Sequence, residues 1–264
     1  MGKRVIAGWM AAFLSAVLLV SCGSAPTTAG TAGNSSSLEN TSAASEKQPY
    51  EILREKEDET NQIAADEEQQ AEELSKALNK LAFQYGEDET LGDYLAGLSP
   101  NCTDNEEQGK SCIVPLLYIF GPSIDPIMMV GFNYIGDTSL DMDTVEIDTS
   151  KYRYTYGTST FAMEVQKDTL TIEPNQVEKK EEAAVRLVTE DDLDALVDIV
   201  ESDKVGLTFA RYNTAKPDFV ECEMPDGDKQ AITDELNAYY LYLNASEKVR
   251  AKALADISCT EIAS

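Results

Sequence analysis

The feature that most constrains this chain is the apolar stretch at residues 113–135, which carries Pro115, Pro122 and Pro126. Proline lacks the N–H a helix interior needs, and its ring clashes with the preceding turn. Three prolines at this density rule out a single helix. Two extended segments remain, 113–120 and 127–135, joined by the turn-rich Gly121-Pro122-Ser123-Ile124-Asp125-Pro126. Pro115 makes the first segment irregular or confines it to a sheet edge.

The pattern downstream agrees with a sheet. Val145 and Ile147 alternate with polar residues, a polar turn follows, and Tyr152, Tyr154 and Tyr156 alternate with Arg153 and Thr155. Two period-2 runs across a short turn predict a hairpin. Residues 161–172 predict a third strand. Thr189 predicts a helix start, with Asp192 at the capping-box position and Leu193, Leu196, Val197 and Val200 on the buried face. Residues 205–212 and 218–224 read as strands across a turn at 213–217. Asp226 reads as the cap of a last helix over 227–243. Strands and helices segregate, so the fold class is α+β: a long N-terminal helix, then an antiparallel sheet packed against two or more helices.

The N-terminal helix is expected over residues 50–85, which lack Gly and Pro; Gly86 stands where a C-cap glycine would. Leu74, Leu78, Leu81 and Tyr85 form its apolar stripe, while 54–73 are mostly charged. Fewer than two good heptads favour a solvated helix docked by its C-terminal half over an oligomerisation stalk. Leu91, Tyr94, Leu95 and Leu98 suggest a short second helix ended by Ser99-Pro100, followed by a loop over 101–111.

The first residues speak to location. Lys3 and Arg4 precede an uncharged apolar run, 5–20, that is shorter than the ~20 residues needed to span a bilayer as a helix. It ends Leu19-Val20-Ser21-Cys22. This ending resembles the lipobox of bacterial membrane lipoproteins. The resemblance implies cleavage before Cys22, attachment of lipid to Cys22 with a palmitate-type acyl chain, and a position at the extracytoplasmic face of the cell membrane. Residues 23–46 are almost devoid of large apolar side chains and read as a flexible tether. The expected organisation is a signal peptide at 1–21, lipidated Cys and linker at 22–46, a helical segment at 47–99 and an α+β domain at 100–259.

Charge and residue usage exclude several classes. The 264 residues include 48 acidic and 21 basic, a formal net charge of −27. Such a chain repels nucleic-acid phosphates, so no nucleic-acid partner is expected. Histidine is absent, which removes the commonest general base and zinc ligand. Beyond Cys22 four cysteines remain: Cys102, Cys112, Cys222 and Cys259. An even number outside the cytoplasm suggests disulfides, with three connectivities open. Cys102 with Cys112 closes a local loop, and Cys222 with Cys259 would then follow. Asp137, Asp141, Asp143, Glu146 and Asp148 cluster as calcium ligands do. They lack the EF-hand order and its glycine, so a solvated acidic loop is the preferred reading and no metal or cofactor is expected. Asp226 and Asp228 fit a helix start. The Tyr152, Tyr154, Tyr156 stripe could stack on sugars, although packing against neighbouring elements explains it as well. No nucleotide-binding, nucleophile-elbow or zinc-protease motif occurs, and no catalytic residue is assigned.

The runs Lys151-Tyr152-Arg153-Tyr154-Thr155-Tyr156, Ser202-Asp203-Lys204-Val205-Gly206-Leu207-Thr208-Phe209 and Asp228-Lys229-Gln230-Ala231-Ile232, with residues 191–200, are similar to a module of uncharacterised lipoproteins of Gram-positive bacteria. That resemblance, over about 128–245, implies an envelope location and no established activity. The expected function is a lipid-anchored, non-enzymatic binding or support module with an envelope glycan or protein partner. The alternatives are a carboxylate-based glycan hydrolase and a self-associating structural lipoprotein.

Overall fold

The computed structural model describes residues 67–88 and 92–261. Cys22, the signal and tether segments and the first half of the expected long helix lie outside these residues. Among the described residues eleven strands form two sheets. The larger has seven, in the order β11-β1-β2-β3-β4-β8-β7, and the smaller has four, in the order β10-β9-β5-β6. All neighbours are antiparallel except β1 (Ala82–Asp88) and β11 (Cys259–Glu261).

The proline-bearing stretch is the spine of the large sheet. β3 (Cys112–Ile119) and β4 (Ile127–Gly136) pair antiparallel, with Pro115 opposite Val130. β3 is central, not at an edge. Its pairing with β2 (Gly92–Leu98) covers only Leu117 to Ile119. Odd-numbered residues of β3 turn their N–H away from β4: that of Ile113 bonds the Asp228 carboxylate at 2.8 Å. Pro115 lies on the same side, before β2 arrives, so its missing donor interrupts no ladder bond. The strand is central in the sheet and edge-like where the proline sits.

Further expectations are corrected. The first helix, α1 (Glu67–Leu78), does place Leu74 and Leu78 in the core, but it ends there. Residues 82–85 belong to β1, and Tyr94, Leu95 and Leu98 lie in β2 instead of a helix; Leu91 lies outside the described residues. The register sets Phe83 opposite Gly97 and Tyr94 opposite Gly86. Each ring lies over the glycine across from it; a Cβ added at Gly97 would meet the Phe83 ring at 2.7 Å. Gly86 therefore makes room for a ring and does not cap a helix. The expected loop 101–111 begins as α2 (Pro100–Glu107), with Pro at the first helical position. The third strand narrows to β7 (Gln166–Ile172) and joins the large sheet beside β8 (Val177–Leu187), not the small hairpin.

The expected hairpin is present. β5 (Thr144–Asp148) pairs with β6 (Arg153–Gly157), and β9 (Gly206–Arg211) pairs with both β5 and β10 (Asp218–Glu223). So is α3 (Glu190–Glu201), whose capping residue Thr189 donates its backbone N–H to Asp192 at 2.9 Å. α4 (Asp226–Asn244) starts one residue early, with Pro225 as its N-cap, and α5 (Glu247–Leu254) follows it.

The main core lies between one face of the large sheet, the inner face of the small sheet and helices α3 and α4. Phe132, Tyr134, Val145, Ile147, Phe209, Leu196, Ile232 and Leu236 meet there. A second core on the opposite face of the large sheet gathers Tyr94, Leu116, Tyr118, Met129 and Val185. The third packs α1, α5 and the end of α4 over Phe83, Leu117 and Ile119. At about 1.5–3 kcal/mol for each fully buried large apolar side chain, these clusters dominate the folding energy. Among the described residues no helix is long and apolar enough to cross a membrane.

Candidate functional site

The acidic loop at residues 137–148 is organised from inside. Glu182, on β8, is fully buried beneath it. Its carboxylate accepts the backbone N–H groups of Leu140, Asp141 and Met142 at 2.7, 2.8 and 2.6 Å, and the Ser139 hydroxyl at 2.5 Å. Asp141 turns the chain with φ of +56°, a left-handed conformation that Asp tolerates better than most residues. The loop's own carboxylates are held by protein donors. Asp137 pairs with Lys179, Asp141 with Lys167 and Arg211, and Glu146 and Asp148 with Arg153. No group of His, Cys, Asp or Glu among the described residues is arranged to hold a metal ion.

Asp143 carries the same device outward. It is buried at the start of β5 and accepts the N–H groups of Tyr212 and Asn213, at 2.9 and 2.7 Å, with the Thr144 hydroxyl at 2.8 Å. Burial pushes its pKa up, but the hydrogen bonds from Tyr212 and Asn213 outweigh burial and hold it below the usual carboxylate value. Glu182 thus anchors the loop, and Asp143 at the end of the loop clamps the β9–β10 hairpin.

Helix α4 treats its acids differently. Asp228 is fully buried and accepts Asn105 Nδ2 at 2.6 Å and the Ile113 N–H at 2.8 Å. Burial pushes its pKa up to about 7. It ties the helix to β3 as well as lying in the first turn. Two turns on, Glu235 is fully buried, and burial drives its pKa well above the usual value. The backbone N–H of Ser99 faces it and opposes that shift, yet neither carboxylate oxygen reaches hydrogen-bonding geometry. Asp234 beside it meets Lys80, Asn101 and Gln230. A glycan hydrolase needs two carboxyl groups facing each other across a cleft, about 5–10 Å apart. Asp228 and Glu235 are instead enclosed between helix and sheet.

The tyrosine stripe divides along its length. Tyr156 is buried and stacks on Phe132 with ring centroids 5.2 Å apart. Tyr154 is half-buried and donates its hydroxyl to Asp198 at 2.5 Å. Tyr152 alone stands out, 64% exposed. The stripe is therefore a packing face with one exposed end. The expected disulfides do not form among the described residues. Cys102 instead points its thiol at the Ile113 carbonyl, 3.7 Å away, from inside the core, with Cys112 buried at the start of β3. Cys222 lies half-buried under the small sheet, where burial and then Asp228 push its thiol pKa up to about 11. Cys259 is exposed on β11.

What sequence reasoning missed is the outside of the small sheet. Tyr212 and Phe219, 41% and 54% exposed, lie there on the hairpin that Asp143 clamps, and Val220, 38% exposed, turns to the other face. The signal was the adjacent pair Phe219-Val220: in a strand, neighbours point to opposite faces, so one of two adjacent large apolar residues must face outward. Glu221 follows Phe219 on that outer face, opposite Thr208, with Glu146 beyond on β5. Burial and then Glu146 raise the pKa of the Tyr212 hydroxyl. No family model, no curated protein and no solved structure matches the chain.

Proposed function

We propose that this chain is a lipid-anchored envelope protein, held at the outer face of the cell membrane through Cys22, that binds a partner through its β9–β10 hairpin and performs no catalysis. The lipobox-like ending at Cys22 and the polar segment at 23–46 support the anchorage. The observation that carries the binding role is the gathering of exposed Tyr212 and Phe219 on the outer face of one clamped hairpin. An exposed apolar cluster held on a rigid, polar-rimmed element marks an interaction surface. The buried acids Glu182, Asp143 and Asp228, by contrast, are occupied in tying loops and helices together. The strong negative charge sets nucleic acid aside as a partner.

The test uses the full chain purified from membranes in detergent. Mass analysis of its N-terminal peptide is expected to begin at acyl-bearing Cys22; an intact leader without acyl mass overturns the anchorage. Incubated with purified envelope fragments, the protein is expected to co-sediment without releasing reducing ends. The double substitution Tyr212→Ser, Phe219→Ser is expected to lose co-sedimentation while melting as the parent does. Release of reducing ends, or unchanged sedimentation of the double variant, refutes the binding role.

A further inference from the structure

Strand β10 closes one side of the small sheet, and no described residue pairs with its outer edge. The direction of its backbone groups follows from two bonds. Asp143 donates to the Ala210 carbonyl, so Ala210 turns its polar groups toward β5; Met224 donates to the Val205 carbonyl, so the even-numbered residues of β10 face β9. The peptide groups of Phe219, Glu221 and Glu223 therefore point outward. The Phe219 N–H is taken by its neighbour Asp218 at 3.0 Å, which leaves those of Glu221 and Glu223 directed away from the sheet.

The other edges are blunted. β11 has three residues, β7 carries Lys167, and β6 carries Arg153. Short strands and basic side chains are the usual protections of a sheet edge. β10 reads Asp-Phe-Val-Glu-Cys-Glu, with no Lys, Arg or Pro, and nearly all of it is exposed. Lys204 lies 3.8 Å from Glu223, with both side chains largely in solvent, and Arg211 stands opposite Asp218 on β9. The edge thus combines free peptide donors, exposed Phe219 and Val220, and three carboxylates. Pairing with a second copy of itself would oppose carboxylate to carboxylate, which is destabilising across strands. The chain's net charge of −27 repels a second copy further.

We infer that β10 receives an extended cationic segment of a partner protein as an added antiparallel strand. Main-chain bonds to Glu221 and Glu223 supply affinity, and basic side chains opposite Glu221 and Glu223 supply choice of partner. This rests on the binding role proposed for the hairpin and names the mode and the chemistry of its partner.

The experiment titrates full-length protein in detergent with an eight-residue peptide alternating Lys and Val, and with the same peptide carrying Glu for Lys. Amide exchange is read residue by residue. The Lys peptide is expected to bind and to slow exchange at Glu221 and Glu223 about tenfold or more, with Val220 and Cys222, already bonded to β9, little changed. The Glu peptide is expected not to bind. Glu221→Pro removes one outward donor, which an edge tolerates, and is expected to abolish binding. Glu221→Gln and Glu223→Gln keep every backbone donor, and each is expected to weaken binding about fivefold or less. Equal binding of the two peptides, no binding of either, or binding without protection at Glu221 and Glu223 overturns strand addition. If envelope fragments still co-sediment through Tyr212 and Phe219 in that case, the binding role stands and only the mode is lost.

Discussion

Glu182 and Glu235 are both fully buried carboxylates, yet they sit in opposite environments. Glu182 lies in a nest of three backbone N–H groups and a hydroxyl. Glu235 has one backbone N–H facing it and no hydrogen bond. The difference teaches that burial alone does not decide what an acid does. Donors that converge on a carboxylate make its charge a structural tie. Where they are missing, burial favours the protonated form and the acid becomes a source of pH-dependent strain. Asp143 and Asp228 repeat the contrast on a smaller scale, the first with a lowered and the second with a raised pKa.

The largest test of this contrast is Glu182→Ala. It leaves three backbone donors and a hydroxyl inside the fold without their acceptor, at about 1–3 kcal/mol each. A loss of about 5 kcal/mol is expected, enough to bring a domain of ordinary stability near unfolding, read by urea denaturation. If Glu182→Ala unfolds like the parent, the loop is not held from below.

Next in size is the response to pH. Asp228 shifts from 3.8 to about 7 on folding, so the folded state keeps its proton in a window where the unfolded state has lost it. Its stabilisation is full below about pH 4 and is lost as pH rises through 7, a change of ~4 kcal/mol at about 1.4 per unit. Glu235 acts in the same direction. Asp143, with its lowered pKa, acts oppositely and loses stability as pH falls. The melting temperature is therefore expected to rise on acidification from pH 8 toward 5. Asp228→Asn should flatten that rise, and Glu235→Gln should raise the melting temperature at pH 8. A melting temperature that is flat over this range in the parent removes the distinction between the two environments.

Asp143→Ala should cost about 2 kcal/mol by releasing the N–H groups of Tyr212 and Asn213. Faster amide exchange confined to the β9–β10 hairpin is the expected signature; slow exchange there would mean the hairpin holds itself. The smallest effect concerns packing. Gly97→Ala sets a methyl 2.7 Å from the Phe83 ring, and a loss of about 1–3 kcal/mol is expected from the forced shift. A crystal structure with the ring undisplaced would show that the glycine was not making room for it.

Much of the second half was legible from local pattern. The β5–β6 hairpin, the capped helix α3, the β9–β10 turn and the extended character of 127–135 each rest on alternation or spacing within a few residues. β1 and β2 were not, because Leu91, Tyr94, Leu95 and Leu98 suit a helix until Phe83 and Tyr94 are set against glycines on the facing strand. β8 was hidden by the charged run Glu178-Lys179-Lys180-Glu181-Glu182, which reads as solvated until a loop closes over it. Of the candidate site, the hairpin and, through the pair Phe219-Val220, an outward apolar side chain could be read, but not the clamp.

The sequence by itself determined that residues 113–120 and 127–135 are extended, and where the short-range hairpins and the capped helix fall. Only the tertiary structure decided that Pro115 sits in a central strand, which cysteines stay unbridged, and which acids are ties and which are strained. The physical reason is range. Periodicity and turn chemistry act over a few residues, whereas Glu182 meets its donors about 40 residues away and Asp228 meets Ile113 across 115.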